Sequence, residues 1–184
     1  LSDVITLGIR VGGNDFPIAE KEWKRAMVDA GINIGGARLF DASRDVPKGY
    51  GPETLRALER RISTYRELIH GDASRRTSVF ALAPQPVLIG LGAMLADDGS
   101  IDVYQKRRDT GGWSWASEGM PNSFSFEALT LGGSGGCAIV LSVSGPIDCG
   151  TYAEAVHNSV ETIYELSASR TGPTAILLRK DWYE

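Results

Sequence analysis

Apolar residues in this chain recur with two periods, and the switching between those periods sets the expected architecture. Val4 to Val11 is rich in β-branched and aliphatic residues and predicts a first strand. Pro17 to Ala30 carries Trp23, Ala26 and Met27 on one helical face, with Pro17 suited to a first turn and Gly31 to a C-terminal stop. Asn33 to Gly51 is punctuated by glycine and proline and reads as loop around a short strand at Ala37–Phe40. Pro52 to Ile69 is the clearest helix, because Leu55, Leu58, Ile62, Tyr65 and Ile69 fall at helical spacing. Thr77 to Leu82 is apolar almost without alternation, the pattern of a strand covered on both faces of a parallel sheet. Pro86 suits the first turn of a helix over Val87–Ala96 that is apolar nearly all round. Gly90 and Gly92 each cost that helix about 1 kcal/mol against alanine, which implies close packing against a neighbour.

The rest of the chain is less regular. Ile101 to Gln105 predicts a strand with alternating faces, and Lys106 to Gly136 reads as irregular. Cys137 to Val143 predicts a buried strand, Thr151 to Ala168 an amphipathic helix, and Thr174 to Leu178 a last strand. Strands alternating with helices predict an α/β fold of Rossmann-like type, a parallel sheet flanked by helices. The glycine-rich stretch at 132–136 suggests a flexible joint. The expected organisation is one lobe, 1–131, and the start of a second fused lobe, 137–184.

Composition narrows the chemistry. The chain has 184 residues, 42% hydrophobic and 23% charged, with a formal net charge of -4. General nucleic-acid binding favours a basic balance, so direct DNA binding is not expected and any anion must meet a local cluster. No apolar run is long enough to span a bilayer and no basic-then-apolar leader is visible. With a start at Leu1, these features point to a processed chain or an excised domain in a reducing cytoplasm. Cys137 and Cys149 have no metal or disulfide spacing, and Cys137 reads as a small core residue. His70 and His157 read as solvent-facing helix residues, so no metal site is expected. A nucleophile elbow, a P-loop, a zinc motif and the G-x-G-x-x-G spacing are all absent from the sequence, and no catalytic residue or cofactor is assigned.

Ligands of open α/β sheets bind outside the carboxyl ends of the strands. Four such ends carry suitable groups: Arg10 before Gly12-Gly13; Pro84-Gln85-Pro86; Gln105-Lys106-Arg107-Arg108 with Trp113 and Trp115; and Ser142, Ser144 and Gly145. Glycine loops and helix N-termini suit anions, arginine forks suit phosphate, and tryptophan suits base stacking. That mixture fits a nucleotide better than a sugar or an acid. Each group also has a plainer reading. Lys106-Arg107-Arg108 fits a solvated charge run, and Trp113 and Trp115 fit core anchors of a loop. Arg10 fits a partner of Asp15 or Glu20, the proline turn a rigid corner, and the serines satisfied strand-end hydroxyls. A nucleotide-hydrolysing enzyme and a ligand-free oligomerisation module, built on the apolar helix Val87–Ala96, are the alternative functions.

The segment Val79-Phe80-Ala81-Leu82-Ala83-Pro84-Gln85-Pro86-Val87-Leu88-Ile89-Gly90-Leu91-Gly92, then Ile101-Asp102-Val103-Tyr104-Gln105, Arg107-Arg108 and Trp113-Ser114-Trp115, resembles the SAVED domain. Ala138 to Gly145 and Ile163-Tyr164-Glu165-Leu166 are similar to the start of that family's second lobe. The form with an HNH nuclease fused in front looks nearest. The resemblance implies two CARF-like lobes around a cyclic di- or trinucleotide. It implies self-association with other SAVED domains and a fused or associated effector nuclease of CBASS antiphage defence, with no membrane partner. It places Pro84, Pro86, Tyr104, Arg107, Arg108 and Trp113 at or near the cleft. A second proline turn and a Gly-Arg helix would be expected beyond Glu184.

Overall fold

In a computed structural model the described residues are 2–8, 18–69, 76–96, 100–107, 110–114, 123–130, 135–142, 146–148, 156 and 159–169. The chain divides into two compact units, Leu1–Trp115 and Ala116–Glu184.

The first unit contains β1 (Ser2–Gly8), α1 (Glu20–Asp29), β2 (Arg38–Asp41), α2 (Pro52–Ile69), β3 (Arg76–Leu82), α3 (Gln85–Leu95) and β4 (Ile101–Tyr104). Its four strands are all parallel, in the order β2-β1-β3-β4. Period-two alternation sends neighbouring side chains to opposite faces. Ile5, Leu7 and Val79 pack with Leu58, Ile62 and Tyr65 of α2 and Val87, Leu91 and Leu95 of α3. Val4 and Phe80 pack on the other face with Trp23, Ala26 and Met27 of α1 and with Tyr104 and Trp113. The result is a three-layer α/β Rossmann-like fold. The chain reverses direction after β2, so the carboxyl ends of β1 and β3, where Gly8 lies opposite Leu82, form the topological switch point.

Local chemistry explains the helix ends. Gly31 has φ +73°, and its N–H and that of Ile32 donate to the carbonyls of Val28 and Met27, both at 2.9 Å. This is the paired bonding that closes a helix on a left-handed residue. In α2 the buried positions Thr54, Leu58, Ile62 and Tyr65 keep helical spacing, and the Tyr65 hydroxyl lies 2.8 Å from Thr77 Oγ1. Arg66 of α2 donates to the Met94 carbonyl near the end of α3, which ties the two helices together. At the amino edge of the sheet, buried Asp3 and Asp102 accept from Arg38 and Arg76 of neighbouring strands. Among the described residues no helix is long and apolar enough to cross a membrane.

The second unit holds β5 (Phe124–Thr130), β6 (Cys137–Ser142) and β7 (Thr162–Ala168) in a mixed sheet of order β5-β7-β6. β7 pairs antiparallel with β5 and parallel with β6. Val140, Val160 and Ile163 form its core, with Ala138 and Val156 packed against them.

Several expectations need correction here. The helix expected over Thr151–Ala168 gives way to strand β7 from Thr162. Val156, Val160, Ile163 and Tyr164 fit a helical face, yet Thr162-Ile163-Tyr164 is also a β-branched and aromatic run, and pairing on both sides decides it. The segment read as irregular contains β5, whose period-two alternation of Phe124, Phe126 and Ala128 with Ser125 and Glu127 is a strand signal. β6 is buried on one face alone. Cys137 is exposed, on the same side as exposed Ile139 and Leu141. The last predicted strand, His70, His157 and Cys149 lie outside the described residues.

The two glycines of α3 differ. A Cβ on Gly90 would stand 2.7 Å from Leu55 Cδ2, whereas one on Gly92 would meet nothing within 4 Å. Close packing thus explains Gly90 and leaves Gly92 unexplained. Gly92→Ala is expected to stabilise the protein by up to ~1 kcal/mol through helix propensity. Gly90→Ala should gain less, because the end of the half-buried Leu55 side chain must move aside. Urea midpoints of the two variants check this, and equal midpoints would refute the contact argument.

Candidate functional site

Helices that follow parallel strands start at the sheet's carboxyl edge, so their bare N–H groups gather there. At this edge α3 begins with Pro84 as N-cap, in extended conformation and without a side-chain cap. The N–H groups of Val87 and Leu88 donate to the Pro84 carbonyl at 2.9 and 3.1 Å. No acidic residue occupies the first turn. Pro84 is half-buried while Gln85 and Pro86 are exposed. The positive end of the helix dipole therefore stands open to solvent next to the switch point.

The adjacent strand end is built differently. The β3–β4 ladder closes on Phe80 opposite Tyr104, whose rings stack at 4.3 Å and 12°. Tyr104 is 2% exposed and belongs to the core on the α1 face. Trp113 is also 2% exposed, edge-on to Phe80 at 5.6 Å. Its indole Nε1–H donates to Glu22 Oε2 at 3.1 Å, and Lys106 Nζ donates to the same oxygen at 3.0 Å. Lys106 Nζ also lies 5.4 Å from the centre of the Trp113 ring. Between these anchors the Arg107 N–H donates to the Gly112 carbonyl at 2.8 Å, and Gly111 takes φ +66° to complete the turn. Gln105 is exposed and Arg107 is half-buried.

Of the residues singled out from sequence, Tyr104, Gln105, Lys106, Arg107 and Trp113 thus come together at the end of β4. Pro84, Gln85 and Pro86 lie at the carboxyl end of the adjacent strand. Trp113 is a core anchor and Lys106 an ion-pair partner, so neither presents a bare surface. Ser142 belongs to the second unit. It is 1% exposed, donates to Glu165 Oε1 at 2.9 Å and accepts from the Ile147 N–H at 3.4 Å, as a satisfied strand-end hydroxyl does. Arg10, Arg108, Trp115, Ser144 and Gly145 lie outside the described residues.

Residues 58–181, more than half of the chain, match SAVED, described as the SMODS-associated and fused to various effectors sensor domain. The chain belongs to the SAVED family. Comparison with curated proteins yields no match. The SAVED match carries a sensing role and the family's habit of fusion to effectors. It begins within α2 and therefore includes the proline turn and the Arg107 turn. It does not include α1.

Glu22, the hub of the Arg107 turn, was not legible in the sequence, because its partners lie 84 and 91 positions away. Burial by itself raises the Glu22 carboxyl. The hydrogen bonds from Lys106 and Trp113 and the charges of Lys106 and Lys21 outweigh it, leaving the group below its ordinary value of 4.5. The stability from a lowered carboxyl is fully present above the unfolded value and is lost as pH falls through the folded one. Wild type should therefore exceed Glu22→Gln in stability near pH 7, and the gap should shrink at a second, acidic pH below the ordinary carboxylate range. Denaturant midpoints at the two pH values check this. A gap independent of pH would show that the charge of Glu22 is not what holds the turn.

Proposed function

We propose that this SAVED domain senses a cyclic di- or trinucleotide at the carboxyl edge of its first sheet. In this reading binding drives self-association and activates a fused effector, an HNH nuclease of CBASS antiphage defence, in the cytoplasm. The chain is taken as a first CARF-like lobe and part of a second, with β5 (Phe124–Thr130) in the sheet of the second unit. Pro84, Gln85, Pro86, Gln105 and Arg107 meet the ligand, with Tyr104, Lys106 and Trp113 supporting them from behind. Arg10, Arg108 and Trp115, outside the described residues, are further candidate contacts from the same unit.

The observation that carries this reading is the open N-terminus of α3 at the switch point, free of acidic side chains and of any side-chain cap. Pro84 and Pro86 carry no N–H and those of Val87 and Leu88 are bonded to the Pro84 carbonyl, so the backbone donor left there for a phosphate is the Gln85 N–H, with no carboxylate in the turn competing for it. Arg107 at the neighbouring strand end adds a guanidinium fork. Membership in a family of sensor domains points the same way. Exposed apolar side chains, Ile89 on α3 and Phe126 and Ile139 in the second unit, supply surface for self-association.

A thermal-shift panel of cyclic di- and trinucleotides tests the reading. A ligand that binds only the folded state at about 100 times its Kd stabilises it by ~2.7 kcal/mol, a rise of several degrees. Arg107→Ala should weaken the responding ligand about tenfold and flatten its salt dependence. Sedimentation velocity should show larger species with that ligand alone. Absence of a shift with every member of the panel would overturn the cyclic di- or trinucleotide reading.

A further inference from the structure

Recognition of a nucleotide draws on a flat face for the base as well as on donors for the phosphate. Tyr104 and Trp113 are each 2% exposed, so neither offers its ring to a base. Among the described aromatic residues of the first unit, Tyr50 alone is exposed, at 59%. It has no hydrogen bond and no ring partner among the described residues.

Tyr50 lies at the carboxyl edge, on the loop that joins β2 to α2. That loop is pinned on both sides of it. Towards the strand, the Ala42 N–H donates to the Thr6 carbonyl at 2.8 Å, Arg61 Nη2 donates to the Asp41 carbonyl at 2.7 Å, and Val46 packs against the core. Towards the helix, Thr54 Oγ1 donates to the Pro47 carbonyl at 3.3 Å and the Thr54 N–H to the Gly51 carbonyl at 3.1 Å. Gly49 has φ +137°, a backbone that side chains rarely allow, so a glycine sets the direction in which the chain enters Tyr50.

Helix pairing brings this loop beside the proline turn. α2 and α3 both begin at the carboxyl edge, because each follows a parallel strand. Leu55, early in α2, meets Gly90, and Arg66, late in α2, bonds the Met94 carbonyl, so the two helices advance in the same direction. Counting back from Leu55 and Gly90 at about 1.5 Å per residue brings Pro52 and Gln85 to within about one turn of the same level. Axes of packed helices lie ~8–10 Å apart. Tyr50, just before Pro52, thus flanks the α3 N-terminus. The two helix starts differ in charge. The Glu53 carboxylate folds back over Gly51 at the start of α2, whereas the first turn of α3 has no acidic residue. A phosphate is favoured at α3 and disfavoured at α2, which leaves the α2 side to the uncharged part of a ligand.

We infer that Tyr50 is a base-stacking residue of the carboxyl-edge site, its ring against one base while a phosphate meets the α3 N-terminus. The inference rests on the carboxyl-edge reading. It concerns a residue that precedes the segment matching SAVED, 58–181.

The test uses the cyclic di- and trinucleotides of adenine, guanine and uracil as probes. For each member that raises the melting temperature, calorimetry gives the Kd of wild type, Tyr50→Ala, Tyr50→Phe and Arg107→Ala. Tyr50→Ala should weaken binding about 5- to 150-fold, the loss of one base stack. Tyr50→Phe should stay within about twofold of wild type, because it keeps the aromatic face. Tyr50→Ala should keep the wild-type salt dependence, which Arg107→Ala flattens. The ring is exposed, so unfolding midpoints of both Tyr50 variants should match wild type, which separates binding from folding. A probe that binds wild type and Tyr50→Ala alike would overturn the role of Tyr50 and leave the carboxyl-edge reading standing. Equal losses in Tyr50→Ala and Tyr50→Phe would overturn stacking. Binding by no member of the panel would overturn that reading and this inference with it.

Discussion

Two adjacent parallel strands that must be covered on both faces set the terms for the first unit. β1 and β3 carry apolar side chains on consecutive positions, Val4 beside Ile5 and Val79 beside Phe80, and none of these four is open to solvent. A sheet of that kind is stable only between two helical layers. One layer is α1 and the other is α2 with α3. Placing the helices on opposite faces requires the chain to leave β1 and β3 in different directions, and this divergence creates the switch point. The crevice where a ligand could bind is thus a by-product of two-sided burial.

The α1 layer is too short to cover its face alone. One helix meets Val4 and Phe80, and the ground over β4 is filled by Tyr104 and Trp113. Filling it with an indole brings a polar N–H down to the helix, and a buried donor without a partner is costly. Glu22 answers that donor, and Lys106 in turn answers the charge of Glu22. A packing requirement therefore propagates into a hydrogen bond, an ion pair and a fixed turn. The turn carrying Arg107 is held because Trp113 had to be buried.

Much of this layering could be read from the residue pattern. The run 77–82 announced burial on both faces, α2 matched its expected bounds, and 101–105 read as a strand with alternating faces, which the structure places at the sheet edge. These elements are legible because local propensity and burial agree in them. The second unit was not, since Thr162–Ala168 satisfies helical and extended periods at once and its strand state comes from partners on both sides. The same limit applies to the site. A sequence shows that Lys106, Arg107 and Trp113 are near one another in the chain. It does not show that a carboxylate 84 positions earlier occupies one of the cations and the indole.

Cations that look equivalent in the sequence therefore have different roles in the folded protein. Lys106 is bound to Glu22 and stacked near an indole, and removing its charge would loosen the turn before it affected any ligand. Arg107, the next residue, lies beyond the anchor on a turn whose two ends meet at one carboxylate oxygen. Holding both ends fixes the backbone under Arg107 before any ligand arrives. The ordering cost that weakens binding by a flexible loop is then largely met by folding. The α3 N-terminus is fixed in the same way, because Val87 is buried between the sheet and α2. Two groups suited to anions, one from a helix end and one from a pinned turn, thus sit on rigid supports at the ends of adjacent strands. In a chain with a formal charge of -4, the anion recognition proposed here falls to fixed local donors and not to the overall field.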